Sequence, residues 1–320
     1  MKPPSWSALL GRQATLVRRA LKPLRDTRRP PPGAGQWLEG LVMSAAGPRR
    51  YALFRPEGVR FGERLPLMVM LHGCHQDARS FAASTRMNAV AARERFLVLY
   101  PEQPRLSNAQ GCWNWFETRS GRAYGEAAWI MQAIDQACLF HAADRERIAI
   151  AGLSAGASMA ALLATRYPRR FKALVMHSGV PPGAAGSAAS AVGAMRGRHE
   201  PAAAATAADW PPLMVIHGGA DGVVSSRNAG AAAALWSQAA GAHAEAPREL
   251  RRGKRYPMRV TQFRRAREVV ATLVEVDRLG HAWSGGAARQ RFADANGPDA
   301  SRMAWRFAAR QFSAPVPSRR

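Results

Sequence analysis

Residues 147–156 read Arg147-Ile148-Ala149-Ile150-Ala151-Gly152-Leu153-Ser154-Ala155-Gly156, and what they form decides the fold. The short apolar run 147–151 predicts a strand. The small residues of 157–166 (ASMAALLATR) predict a helix directly behind it. A serine between glycines at such a junction reads as a nucleophile elbow, in which the glycines let the strand turn sharply and the serine sits strained at the apex. The helix N-terminus then favours negative charge developing beside the hydroxyl. Gly-x-Ser-x-Gly alone is a weak signal in a chain with 28 Gly. Its place between strand and helix outweighs the alternative, a Gly-rich turn holding an ordinary serine.

Working outward, strands are predicted at 51–55, 65–71, 96–100, 171–176, 212–216 and 269–276, and helices at 81–93, 127–142, 229–240 and 300–311. Strands alternating with helices at this spacing imply an α/β fold of the α/β-hydrolase kind, a mostly parallel sheet with helices on both faces. Sites in such sheets form at the carboxyl ends of the strands. Two stretches break the rhythm. Residues 180–209 are rich in Ala, Gly and Ser and predict a loop or loose helical excursion, and the basic 241–267 predicts an insertion or hairpin leading into the next strand.

A serine hydroxyl needs a base at neutral pH. His281 follows the last predicted strand, within 278–286 (RLGHAWSGG). His72, His177 and His217 also follow strands but read as structural. An acid placed between nucleophile and base in chain order is Asp221 in 217–221 (HGGAD), right after the strand at 212–216. Asp277 is the rival, though it lies close ahead of His281 in the chain. An ordinary turn-forming Asp before Gly is the plainer reading of Asp221. An oxyanion hole takes two backbone N–H groups; Ala155 supplies one, and Cys74 in 71–76 (LHGCHQ) is the choice for the other.

The formal charge is +24. Only Lys2, Lys22, Lys172 and Lys254 are lysines, so the excess is arginine, scattered along the chain without a stripe or interleaved aromatics. This argues against a specific nucleic-acid partner. Residues up to Arg25 predict a basic amphipathic helix, which either docks on its own domain or touches anionic surfaces weakly, and 29–35 (RPPPGAG) predicts a linker. Residues 1–35 are thus expected to be tail and linker, and 36–320 one catalytic domain. No secretory leader is legible in 3–11, and no apolar run is long enough to span a membrane. Cys74, Cys112 and Cys138 are too few for a disulfide scaffold. One bond with a spare thiol, or three reduced thiols, both remain open.

Together, 71–76 (LHGCHQ), 111–116 (GCWNWF), 152–160 (GLSAGASMA), HGGAD, RLGHAWSGG and 297–308 (GPDASRMAWRFA) resemble the polyhydroxybutyrate depolymerase family of esterases, itself similar to feruloyl and acetylxylan esterases. The resemblance runs from about Tyr51 to Phe312. It implies hydrolysis of short-chain hydroxyalkanoate polymers or oligomers, with Ser154, Asp221 and His281 on the triad positions, Cys74 on the oxyanion loop, and no metal or organic cofactor. It also implies that Trp113, Trp115 and Trp283 line the substrate groove, ordinary core tryptophans being the alternative. The family points outside the cell, whereas the N-terminus does not. With no substrate-binding domain legible, amorphous polymer, oligomers or small esters are expected to be preferred over crystalline polymer.

Overall fold

In the computed structural model, which describes residues 31–44, 47–201 and 209–313, the apolar runs are strands buried on both faces. The first described elements are an antiparallel pair, β1 (Gly35–Ser44) and β2 (Gly47–Pro56). Next come β3 (Leu65–Leu71), α1 (Ala78–Thr85), α2 (Met87–Glu94), β4 (Leu97–Pro101), α3 (Arg122–Phe140), β5 (Ala143–Leu153) and α4 (Ala155–Arg166). After these follow β6 (Ala173–His177), α5 (Ala188–Met195), β7 (Leu213–Gly218), α6 (Arg227–Ala240), β8 (His243–Ala244), β9 (Arg248–Leu250), β10 (Met258–Arg265) and β11 (Glu268–Val276). The short strands β12 (Trp283–Ser284) and β13 (Ala293–Asp294) precede α7 (Ala300–Phe312).

The main sheet has the order β1-β2-β4-β3-β5-β6-β7-β11-β10-β8, with β9 also paired to β10. From β4 through β11 the neighbours are parallel, and antiparallel strands close both sides. Because side chains alternate along a strand, each strand feeds two cores. Leu67, Val69, Ile148, Ile150, Leu174 and Met176 pack against α3, α4 and α6. Met68, Met70, Ala149, Ala151, Val175 and Ile216 pack against α1, α2 and α7. Each fully buried Leu, Met or Ile contributes roughly 1.5–3 kcal/mol.

The expected doubly covered sheet is therefore present, with two differences of detail. The helix predicted over 81–93 is broken at Arg86, whose φ of 57° caps α1 and starts α2. The pair β1–β2 extends the sheet beyond the predicted strand at 51–55. The basic stretch 241–267 folds as β8, β9 and β10 against β11, and the excursion after β6 carries α5. The amphipathic helix expected up to Arg25 and the start of the linker lie outside the described residues. Among the described residues no helix is long and apolar enough to cross a membrane.

Candidate active site

Ser154 stands between β5 and α4 with φ 56° and ψ −122°, a conformation that L-residues seldom adopt and that costs on the order of 1–3 kcal/mol. The turn is possible because two backbones nearly touch. A Cβ at Gly156 would lie 2.1 Å from the Leu71 carbonyl oxygen, and one at Gly152 would lie 2.3 Å from the Gly156 carbonyl. The Ser154 N–H donates to the His177 carbonyl at 2.8 Å, and its own carbonyl accepts Ala157 and Ser158 in the first turn of α4.

Asp221 and His281, the expected acid and base, lie in the loops that follow two neighbouring parallel strands, β7 and β11. Gly219 N–H donates to Val276 O at 2.8 Å and Ala220 N–H to Leu279 O at 3.0 Å, which stitches the loop after β7 to the loop after β11. Across this seam His281 Nδ1 meets Asp221 Oδ2 at 2.8 Å. A carboxylate can only accept, so Nδ1 carries the hydrogen and Nε2 is left as the free base. Asp221 Oδ1 accepts the N–H groups of Val223 and Val224, each at 2.9 Å. His217 Nε2, bonded to Val224 O at 2.9 Å, lies 3.4 Å from Asp221 Oδ2. Burial alone would raise the Asp221 carboxyl, but the bond to His281, its charge and the two N–H donors outweigh that and hold it at about 2. The Asp221 side chain is wholly buried while that of His281 is 12% exposed, so of the two only the imidazole reaches solvent.

The loop after β3 faces Ser154: a Cβ built on Gly73 would lie 3.6 Å from Ser154 Cβ. Three of its N–H groups are engaged within the described residues. Gly73 N–H donates to Gln76 Oε1, His75 N–H to Gln110 O, and Gln76 N–H to Gly73 O. Among the described residues the Cys74 N–H has no acceptor, as an oxyanion donor requires, and neither has that of Ala155 at the start of α4. Cys74 is disulfide-bonded to Cys112, which settles the alternative left open by the sequence, and Cys138 is a buried free thiol. The Ser154 hydroxyl makes no hydrogen bond among the described residues, so of the two contacts expected between Ser154, His281 and Asp221 only the one between His281 and Asp221 is made. Such contacts commonly tighten only with substrate bound.

The expected aromatic groove is corrected. Trp113 and Trp283 are wholly buried, their indole N–H groups satisfied by His72 O at 3.0 Å and Ser301 Oγ at 3.0 Å. They are core residues beneath the site and cannot stack on a substrate. Trp115, 8% exposed and set edge-on to Phe116, keeps only a sliver of surface.

The sequence reading passed over Glu126, a buried carboxylate in α3. Its oxygens accept from Gln103 Nε2 at 2.6 Å, Asn114 Nδ2 at 2.5 Å and Asn114 N–H at 2.8 Å. It pins the loop that carries Cys112. Burial pushes its carboxyl up against the pull of these donors. Among the described residues no group of His, Cys, Asp and Glu is arranged to hold a metal ion.

A family model described as esterase PHB depolymerase matches residues 49–251. The chain belongs to the polyhydroxybutyrate depolymerase esterase family. The match takes in Ser154, Asp221 and both cysteines of the disulfide and ends ahead of His281. Poly(3-hydroxyalkanoate) depolymerase C of Paucimonas lemoignei is 34% identical over 179 residues, 51% of this chain and 42% of that one. Feruloyl esterase B of Neurospora crassa is 30% identical over 199 residues, 55% of this chain and 65% of its own length. The chain thus spans less than two thirds of the length of these curated relatives. Among solved structures, the acetyl xylan esterase from Aspergillus awamori superposes with a TM-score of 0.62 at 16% identity, over 76% of this chain and 94% of that one. A hyperthermophilic esterase from Pyrobaculum calidifontis gives 0.53 at 17% identity, over 98% of this chain and 94% of the other. At these identities the likeness is one of fold, and the fold is that of the α/β-hydrolases.

Proposed function

We propose that this chain is a serine esterase that cleaves the ester bonds of short-chain hydroxyalkanoate polymers or oligomers. The observation that carries the reading is the buried Asp221 side chain bonded to His281, together with a strained serine at a strand–helix elbow of the same sheet. In the proposed cycle, Nε2 of His281 takes the Ser154 proton as Oγ bonds to the ester carbonyl carbon. The N–H groups of Ala155 and Cys74 hold the oxyanion. Collapse breaks the ester C–O bond, and His281 returns the proton to the departing alcohol. A water, deprotonated by the same nitrogen, then attacks the acyl-enzyme and releases the acid.

The polyester substrate rests on the family and on the likeness to the Paucimonas depolymerase. A feruloyl or acetylxylan substrate is favoured in turn by the longer aligned stretch with feruloyl esterase B. The deciding experiment follows release of 3-hydroxybutyrate from amorphous polyhydroxybutyrate, beside p-nitrophenyl butyrate, for wild type and Ser154→Ala. Activity on both that vanishes in the variant is expected. Cleavage of the small ester alone would discard the polyester. A folded wild type inert on both would discard the esterase and leave a basic surface-binding protein on an inert hydrolase fold.

A further inference from the structure

His177, the last residue of β6, is wholly buried and touches both halves of the site. Its carbonyl accepts the Ser154 N–H at 2.8 Å. Its ring Nε2 accepts the Ser284 N–H at 3.1 Å, in the loop that carries His281. The ring also stacks on Trp283, with centroids 5.0 Å apart and planes 26° from parallel. Trp283 is anchored through its indole to Ser301 in α7. One residue therefore ties the nucleophile's peptide to the loop of the base, although the two come from different strands.

A backbone N–H can only donate, so Nε2 must be the bare nitrogen and Nδ1 must carry the hydrogen, facing the Ser178 hydroxyl at 3.3 Å. The titratable groups around the ring are His217, His281 and Asp221. Burial, joined by the two histidines and opposed by Asp221, brings the His177 ring down to about 3. It stays neutral at any pH where an esterase would be assayed.

We propose that His177 is a positioning residue for acyl transfer: its neutral ring, by accepting the Ser284 N–H, holds His281 in register with Ser154. This rests on the reading of Ser154 and His281 as nucleophile and base. A misplacement near 1 Å at a reacting pair costs on the order of 100-fold in rate.

The test compares three variants on p-nitrophenyl butyrate. His177→Phe keeps bulk and a stacking face but no acceptor. His177→Asn is too short to reach Ser284, and His177→Gln places an amide oxygen near the position of Nε2. The expected result is a kcat lower by roughly 30- to 100-fold in the Phe and Asn variants, with KM within about twofold. The Gln variant should stay within about fivefold of wild type, a rescue that simple loss of packing would not give. The low-field proton resonance of His281 Nδ1–H should persist in the Phe variant, because the acid loop is stitched to the base loop independently of His177. A folded Phe variant with wild-type kcat would overturn the proposal. So would a folded Gln variant as impaired as Asn, and this arm decides if Phe fails to fold. A wild type without ester hydrolysis would instead sink the esterase reading on which the proposal stands.

Discussion

Asp221→Asn separates catalysis from folding, and the two losses can be sized in advance. The Asp221 carboxyl is held at about 2 against an ordinary 3.8, a lowering of nearly two units that favours the ionised form by about 2 kcal/mol. With a depressed pKa, this stabilisation is present above about pH 4 and is lost as pH falls toward 2. Asparagine has the shape of the protonated acid, so at neutral pH the variant gives up no more than about 2 kcal/mol, a Tm drop of roughly 4–8 °C. The catalytic loss is of another order. An amide facing His281 Nδ1 either donates to it, driving the hydrogen onto the nitrogen that must take the serine proton, or leaves the imidazolium unpaired. In serine triads this exchange lowers turnover about 10⁴-fold, near 5 kcal/mol of barrier. The assay is kcat on p-nitrophenyl butyrate beside urea and thermal unfolding, with Asp277→Asn as control. The expected outcome is a folded Asp221→Asn protein with kcat down about 10³- to 10⁴-fold and KM little changed, and a control within about twofold of wild type. An Asp221 variant keeping more than about a tenth of the activity, or a greater loss at Asp277, would refute the assignment.

Burial lowers the proton affinity of His72, His177 and His217, so stability should fall as pH drops below the ordinary histidine value of 6.5 and on toward about 3 for His177. Each contributes up to about 1.4 kcal/mol per pH unit in that window. Glu102 and Glu126 are pushed up by burial and act in the opposite direction, so the urea midpoint of wild type minus His177→Gln isolates the His177 share; a pH-independent difference between pH 6.5 and 4 would contradict this. Replacing Cys74 and Cys112 by serine opens a loop of sequence separation 38 and should cost about 4 kcal/mol by loop entropy. The same disulfide holds the loop whose Cys74 N–H is the proposed oxyanion donor, so kcat should also fall at least tenfold in that variant, while unchanged kinetics would show that the bond does not position that N–H. Glu126→Gln turns an NH₂ toward groups that already donate, and should lower stability by roughly 1–3 kcal/mol in thermal melts. An unchanged Tm would mean that the network tolerates a neutral partner.

Much of this was legible because the chemistry is tied to strand ends. Ser154, Asp221 and His281 each follow an apolar run that reads as a buried strand, and the fold places all three just past the ends of parallel strands. What the sequence hid lies in tertiary contacts. Strand β1 carries glycines where a strand usually shows branched residues. A Cβ at Gly40 would lie 2.2 Å from the ring of Tyr51, so the aromatic ring across the pair supplies the packing that the glycine lacks. The capping box of Asp77 with Ser80 is a local signal for the start of α1, and it was there to be read. The tryptophans misled for a different reason. An indole between small or polar residues looks the same in sequence whether it faces a groove or folds back into the core. Only the partners of Trp113 and Trp283, a carbonyl and a hydroxyl supplied by distant segments, separate the cases. The roles of His177 and Glu126 are invisible for the same reason, since their partners lie on other elements.

The placement of β11 has a bearing on how this protein acquires activity. It lies directly against β7, in register from Ala271↔Leu213 to Val276↔Gly218, yet the intervening chain runs through α6 and three antiparallel strands. A growing polypeptide that has completed β7 already contains Ser154, and shortly afterwards Asp221, but not yet His281, the proposed base. Docking of β11 is a pairing between distant parts of the chain, the kind that forms slowly. On the proposed reading of Ser154, Asp221 and His281, hydrolysis therefore waits until β11 has paired with β7. Ester hydrolysis regained on refolding is then expected to track the pairing of β11 with β7, and not the burial of the serine's own strand.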